Sequence, residues 1–314
     1  ASGNYPLGTT TVIWTATDSH GNTNTCAQHI TITDDELPVI TCAAGLTHLA
    51  DPGLCNASVT VTSPTVSDNC GVATVLNSFN GTSNASGTYP VGTTVVLWTV
   101  TDMQGNTNAC EQSITVIDDQ DPVINCAMDQ MQGADPGLCS AYVNVSGPLA
   151  EDNCSVASII NSYNNESIAS GNYPVGSTTI VWTVTDAHGN TQTCSQVITV
   201  MDDEDPTVIC PDQPVHGTDP GQCNAFVTLT VPVTEDNCGV ATLLNSYNGT
   251  GNASATYPVG TTTVVWTVTD IHGNTKTCAQ DIIVTDDEHP LITCPAAQSH
   301  LTDMGQCNAD ILIG

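Results

Sequence analysis

The chain has 314 residues, with 32 acidic side chains against a single basic one, Lys276, and a formal net charge of −31 at pH 7. That balance excludes nucleic-acid binding and electrostatic attachment to anionic membranes, since both need basic groups against phosphate. It also leaves one site for trypsin-like proteases, and no lysine supply for repeated lysine–asparagine isopeptide crosslinks.

The elements repeat with a fixed period. Trp14, Trp98, Trp182 and Trp266 are each 84 residues apart (98 − 14, 182 − 98, 266 − 182). The 15 cysteines keep the same register in four columns: Cys26, Cys110, Cys194 and Cys278; Cys42, Cys126, Cys210 and Cys294; Cys55, Cys139, Cys223 and Cys307; Cys70, Cys154 and Cys238. This period is too long for a solenoid and suits a small domain. The reading is therefore of complete modules at 38–121, 122–205 and 206–289, with a partial module at 1–37 (its C-terminal half) and another at 290–314 (its N-terminal part). The sequence starts and stops inside a repeat, which leaves export and anchoring signals to lie outside it. No run of 18 apolar residues marks a membrane span.

Residues 122–205 represent every module. Asp121-Pro122 opens the module and leads into the apolar pair Val123-Ile124. Asp135-Pro136-Gly137 is a β-turn, with proline presetting φ and glycine accepting positive φ. Ala141, Val143 and Val145 alternate with polar residues, the pattern of a half-buried strand. Asp152-Asn153-Cys154 is a loop, Val156–Tyr163 a further strand, and Tyr173-Pro174-Val175-Gly176 a second turn. In Thr178–Thr185, Ile180, Trp182 and Val184 share one face and threonines the other. Asp186–Asn190 is a loop, and Gln196, Ile198 and Val200 mark the last strand. Nothing has helical periodicity, so the expectation is all-β: tandem Ig-like β-sandwich modules. A core this small needs staples, and each disulfide contributes about 2–4 kcal/mol, chiefly by restricting the unfolded chain.

Four cysteines per module point to an oxidising, extracellular compartment. No C-x-x-C pair supports zinc as the rival. Three connectivities are open. The favoured one pairs Cys126 with Cys139 and Cys154 with Cys194, because an Ig-like arrangement brings the loop before the third strand near the start of the last. Extended along the chain, that rule pairs Cys42, Cys55, Cys70, Cys110, Cys126, Cys139, Cys154, Cys194, Cys210, Cys223, Cys238, Cys278, Cys294 and Cys307, and leaves only Cys26 unpaired.

The order of these motifs resembles the hyalin repeat, or HYR domain. The resemblance runs through Asp121-Pro122 to Cys126, Asp135-Pro136-Gly137 to Cys139, Asp152-Asn153-Cys154, Tyr173-Pro174-Val175-Gly176, the Trp182 strand, Asp186-Ala187-His188-Gly189-Asn190 and Cys194. It spans the whole chain, though Asp303-Met304-Gly305 replaces the Asp-Pro-Gly turn in the last partial repeat. It implies an Ig-like sandwich, a role in extracellular adhesion or matrix, and no catalysis.

The acids are not scattered. A run sits at each module boundary and two acidic loops recur inside each module. In an Ig-like sandwich all three meet at the N-terminal end, where carboxylates without a basic neighbour repel unless a cation joins them. The plain alternative is a solvated linker and an ordinary Asx turn. The expected cation is Ca²⁺, which takes oxygen ligands. Its candidate ligands are Asp34, Asp35, Asp68 and Asp102; Asp118, Asp119, Asp121, Asp152, Asp186 and Asn190; and Asp202, Asp203, Asp205, Asp236, Asp270 and Asn274. His20, His188 and His272 share a loop position with Gln104, which argues against a catalytic set. Among eight N-x-S/T sequons, Asn80, Asn165 and Asn248 recur in one polar loop and are the candidate glycosylation sites. The functional expectation is an extracellular or cell-surface structural protein forming a calcium-stiffened filament or stalk by self-association. The alternative is an adhesin whose modules bind a surface protein or glycan.

Overall fold

A computed structural model describes residues 2–313 and, among them, only strands, turns and irregular segments. The chain falls into two compact units. One comprises residues 1–130, 143–171 and 177–199, and the other residues 131–142, 172–176 and 200–314.

In the first unit, β1 (Gly8–Thr17) and β2 (Thr23–Ile32) form an antiparallel pair. A full module follows, made of β3 (Val39–Thr41), β4 (Leu46–Leu49), β5 (Asn56–Val59), β6 (Thr65–Ser67), β7 (Val72–Asn77), β8 (Gly87–Pro90), β9 (Gly92–Asp102) and β10 (Thr107–Ile117). One layer is a four-stranded sheet in the order β4-β10-β9-β7, and β3-β6 and β5-β8 are separate pairs. Along β9, Val96, Trp98 and Val100 are fully buried while Val95 and Leu97 face outward, the period-two pattern of a sheet with one wet face. The core joins Trp98, Tyr89, Ile114, Val116, Ala57 and Val59. Its polar atoms are satisfied. Trp98 Nε1 donates to Gln112 Oε1 at 3.2 Å, Gln112 Nε2 donates to Ala44 O at 3.1 Å, and the Tyr89 hydroxyl donates to Ala85 O at 2.6 Å.

The second unit repeats this plan between Thr207–Ile209 and Thr275–Thr285, around Trp266, Tyr257, Ile282 and Val284. Strands of the same lengths run from Val123–Asn125 to Thr191–Met201 in the intervening residues. The tandem Ig-like β-sandwich reading therefore holds. Two details differ from it. Tyr-Pro of the Tyr-Pro-Val-Gly motif ends a strand rather than making a turn, and the chain bends at Val91 before β9 opens on Gly92, whose φ is +111°. The short strand β4 pairs parallel with β10, 68 residues later (114 − 46).

The disulfides correct the favoured connectivity. Cys42–Cys110, Cys126–Cys194 and Cys210–Cys278 close loops with a separation of 68, while Cys55–Cys154 and Cys139–Cys238 have a separation of 99. Neither Cys126–Cys139 nor Cys154–Cys194 forms. Cys26, Cys70, Cys223, Cys294 and Cys307 are free thiols, so Cys70, Cys223, Cys294 and Cys307 join Cys26 as unpaired. Applying the observed separations to them leads outside residues 1–314 (223 + 99 = 322, for example). The physical reason is visible in the first unit. Cys110 lies in β10 opposite Trp98, where Cys42 reaches it directly after β3. The Asp51-Pro52-Gly53 turn instead carries Cys55 toward residues 153–154, where Asn153 Nδ2 donates to Leu54 O at 3.1 Å.

Candidate functional site: acidic triads at the module ends

Each site is built from three segments. The first is the long strand's end. Asp186 closes Gly176–Asp186, and its Oδ1 accepts the N–H groups of His188 and Asn190, both at 2.8 Å. The Asn190 amide nitrogen donates to Asp186 Oδ2 at 2.7 Å and to Asp118 O at 3.2 Å. This is an Asx turn locked from both sides. The second segment is the Asp152-Asn153-Cys154 loop, where Asp152 Oδ2 accepts from the N–H of Cys154 at 2.7 Å and of Ser155 at 2.9 Å. The third is the boundary run, in which Asp118 follows the last strand residue, Ile117, and is buried.

The three carboxylates converge. Asp118, Asp152 and Asp186 each present an oxygen within 4.8 Å of the others, and the same holds for Asp34, Asp68 and Asp102 in this unit. Asp202, Asp236 and Asp270 make the equivalent set in the second unit. No lysine enters any triad. Lys276 pairs with Asp205 at 3.2 Å with both side chains about half exposed, a contact of little energetic weight. The buried Asp34 Oδ2, Asp68 Oδ1, Asp152 Oδ1 and Asp236 Oδ1 have no hydrogen-bond partner.

Burial pushes the carboxyls of Asp102, Asp186 and Asp270 up. The amides of Asn106, Asn190 and Asn274 and the loop N–H groups outweigh it, so all three end below the usual carboxylate range. Asp18 is lowered mainly by Asn22. Asp102, Asp186 and Asp270 are therefore charged at neutral pH.

Not every expected ligand joins. Asp35, Asp119, Asp121, Asp203 and Asp205 lie outside the triads. The Asp203 carboxylate sits against Gly133, and Asp121 with Glu151, like Asp205 with Glu235, lines a cleft that the triad residue Asp152, or Asp236, also borders. Asn190 and Asn274 donate their amide nitrogens to Asp186 and Asp270. The sequence reading missed three kinds of contact. Asn153 Nδ2 bridges to Asp118 Oδ1 at 3.1 Å, and Gly53 N–H donates to Gln120 Oε1 at 2.7 Å, as Gly137 does to Glu204 at 2.8 Å. His188 Nδ1 lies 3.1 Å from Asp118 Oδ2, and His272 Nδ1 2.9 Å from Asp202 Oδ2, where the first triad has Gln104. Only the shared loop position of the histidines was a signal for any of these.

Of the glycosylation candidates, Asn80 and Asn248 are exposed and accept from Thr82 and Thr250 of their own sequons. Asn165, also exposed, has φ +61° and occupies the register position of Gly81 and Gly249 (165 − 84, 165 + 84). Asn164 takes the role of Asn80 there.

The sandwich, its disulfides and its terminal acids define a class, and the HYR domain family matches residues 33–116, 117–200 and 201–284. The chain belongs to that family, whose modules are extracellular, non-enzymatic units of adhesion or structure. It is 32% identical over 300 residues to Hyalin of Lytechinus variegatus, covering 92% of this chain and 55% of that one. Against Hyalin of Strongylocentrotus purpuratus it is 28% identical over 318 residues, covering 97% and 26%. The chain thus spans about a quarter to about half of these relatives. Among solved structures, extracellular cadherin domains 1–5 of protocadherin gamma B2 align with TM-score 0.34 and 9% identity over 91% of this chain and 74% of that one.

Proposed function

We propose that the chain is part of an extracellular structural filament or stalk whose modules are stiffened by Ca²⁺ held at the acidic triads. The observation that carries this reading is the set of buried carboxylate oxygens without partners, Asp34 Oδ2, Asp68 Oδ1, Asp152 Oδ1 and Asp236 Oδ1, one or two in each triad. A buried charged oxygen with no donor is costly, and an all-oxygen donor set suits a hard divalent ion. In the first unit Asp118, Asp152 and Asp186 would hold one ion and Asp34, Asp68 and Asp102 another. Asp202, Asp236 and Asp270 would do so in the second. The ion would supply positive charge that lets three segments close on one point. On this reading the module limits are 38–121, 122–205 and 206–289.

A second reading, an adhesin, is favoured by one observation. Outward-facing apolar residues recur in register: Leu76 and Leu97, Ile160 and Val181, Leu244 and Val265. Such a row would suit a protein or glycan partner, or another copy of the chain.

Calorimetric titration with Ca²⁺ after chelation tests the ion. Heat of binding and a raised melting temperature are expected, and Asp152→Asn should remove one site. No heat and no thermal shift would sink the proposal. Electron microscopy of the native material with and without EGTA then separates filament from adhesin: ordered filaments that loosen on chelation support the first, and single chains in both conditions the second.

A further inference from the structure

The disulfides of separation 99 have no role in the core of a module. Cys154 lies two residues beyond Asp152, whose Oδ2 accepts the Cys154 N–H at 2.7 Å, whose Oδ1 is buried without a partner, and whose carboxylate lies beside those of Asp118 and Asp186. Cys55 belongs to the Asp-Pro-Gly turn. That turn is fastened to the boundary run by Gly53 N–H to Gln120 Oε1 at 2.7 Å and by Gln120 Nε2 to Asp51 O at 3.3 Å. The loop bearing Asp152 and the run bearing Asp118 are therefore both referred to one turn, residues 51–55. The covalent part of that frame is Cys55–Cys154.

The second unit is built the same way. Cys139–Cys238 ties the Asp236 loop to a turn that Gly137 fastens to Glu204 at 2.8 Å, with Asn237 Nδ2 donating to Leu138 O at 3.0 Å. In the first triad Asp68 Oδ2 likewise accepts from Cys70 and Gly71 N–H, both at 2.8 Å.

We propose that Cys55–Cys154 and Cys139–Cys238 are positioning groups for the cation sites, holding Asp152 and Asp236 against the repulsion of their neighbouring carboxylates so that a divalent cation finds its ligands assembled. This rests on the reading that the triads bind Ca²⁺. Preorganisation lowers the cost of binding. Linkage makes the effect reciprocal: the disulfide raises Ca²⁺ affinity, and Ca²⁺ makes that disulfide harder to reduce by the same factor. Reduction here is exchange with a dithiol. Its two thiols pass two electrons and two protons to the cysteine sulfurs and close into the reductant's own disulfide.

The test uses the full chain and Ca²⁺. In the intact chain the Asp152 and Asp236 sites should bind tightly, and loss of a disulfide should weaken its own site about tenfold, within the usual range of coupling between sites. The Cys55→Ser/Cys154→Ser double variant should turn one tight site into a weak one and leave the other tight. The Cys139→Ser/Cys238→Ser variant does the same in the other unit and guards against a misfolded first variant. In a dithiol redox buffer, saturating Ca²⁺ should protect Cys55–Cys154 and Cys139–Cys238 about tenfold and leave Cys42–Cys110 unprotected. A disulfide that only staples the fold would not show that selective dependence. If the intact chain binds Ca²⁺ but neither the affinities of the variants nor the reduction equilibria move, the positioning role is overturned and the calcium reading stands. If the intact chain binds no Ca²⁺, both fall.

Discussion

Asp102, Asp186 and Asp270 each do two jobs with one carboxylate. One oxygen caps the loop's N–H groups, and the other accepts the asparagine amide four residues on. That arrangement sets a pH dependence. Their carboxyls are lower in the folded chain than the ordinary value near 3.8, so folding is favoured by their ionised form. The stabilisation is fully present above that ordinary value and is lost as pH falls through the lowered folded one. Thermal unfolding followed from pH 7 downward in the absence of Ca²⁺ should show a flat plateau and then a steep fall below about pH 4. Asp186→Asn should flatten part of that fall, and an unchanged acid limb would refute the assignment. These aspartates were legible as a recurring Asp-x-x-Gly-Asn loop. Asn153, Gln120 and Glu204 were not, because their partners lie in a turn 67 to 99 residues away.

At the level of elements, the long strand was plain because Ile180, Trp182 and Val184 alternate with threonine on a wet face. Its buried partner, Gln196, was read only as a strand marker. Its oxygen accepts from Trp182 Nε1 at 3.1 Å and its amide donates to Met128 O at 2.9 Å. Gln196→Leu would leave the buried Trp182 Nε1 unsatisfied and should cost about 1–3 kcal/mol, read as a lower urea midpoint with an unchanged slope. A midpoint within error of the parent would show that Trp182 finds another acceptor. Short strands were harder. Leu46–Leu49 offers four residues and pairs in parallel with a strand far along the chain, so no local periodicity announces it. The disulfide pattern was misjudged for a related reason. Spacing within one repeat suggested partners inside that repeat, whereas the Asp-Pro-Gly turn delivers its cysteine to the acidic loop of the following one.

For the molecule as a whole, the five bridges span residues 42–110, 55–154, 126–194, 139–238 and 210–278, and each interval overlaps the next. Lys276 lies inside the last of them, so trypsin acting on the unreduced, denatured protein should release nothing. The 38 residues after it (314 − 276) should separate only once the disulfides are reduced. A fragment of that size freed without reductant would contradict the bridge. Any one peptide bond between Cys42 and Cys278 can therefore be cut without parting the chain. A protein that works outside the cell meets proteases it cannot choose, and here a single cut would leave the two pieces joined through sulfur around the break.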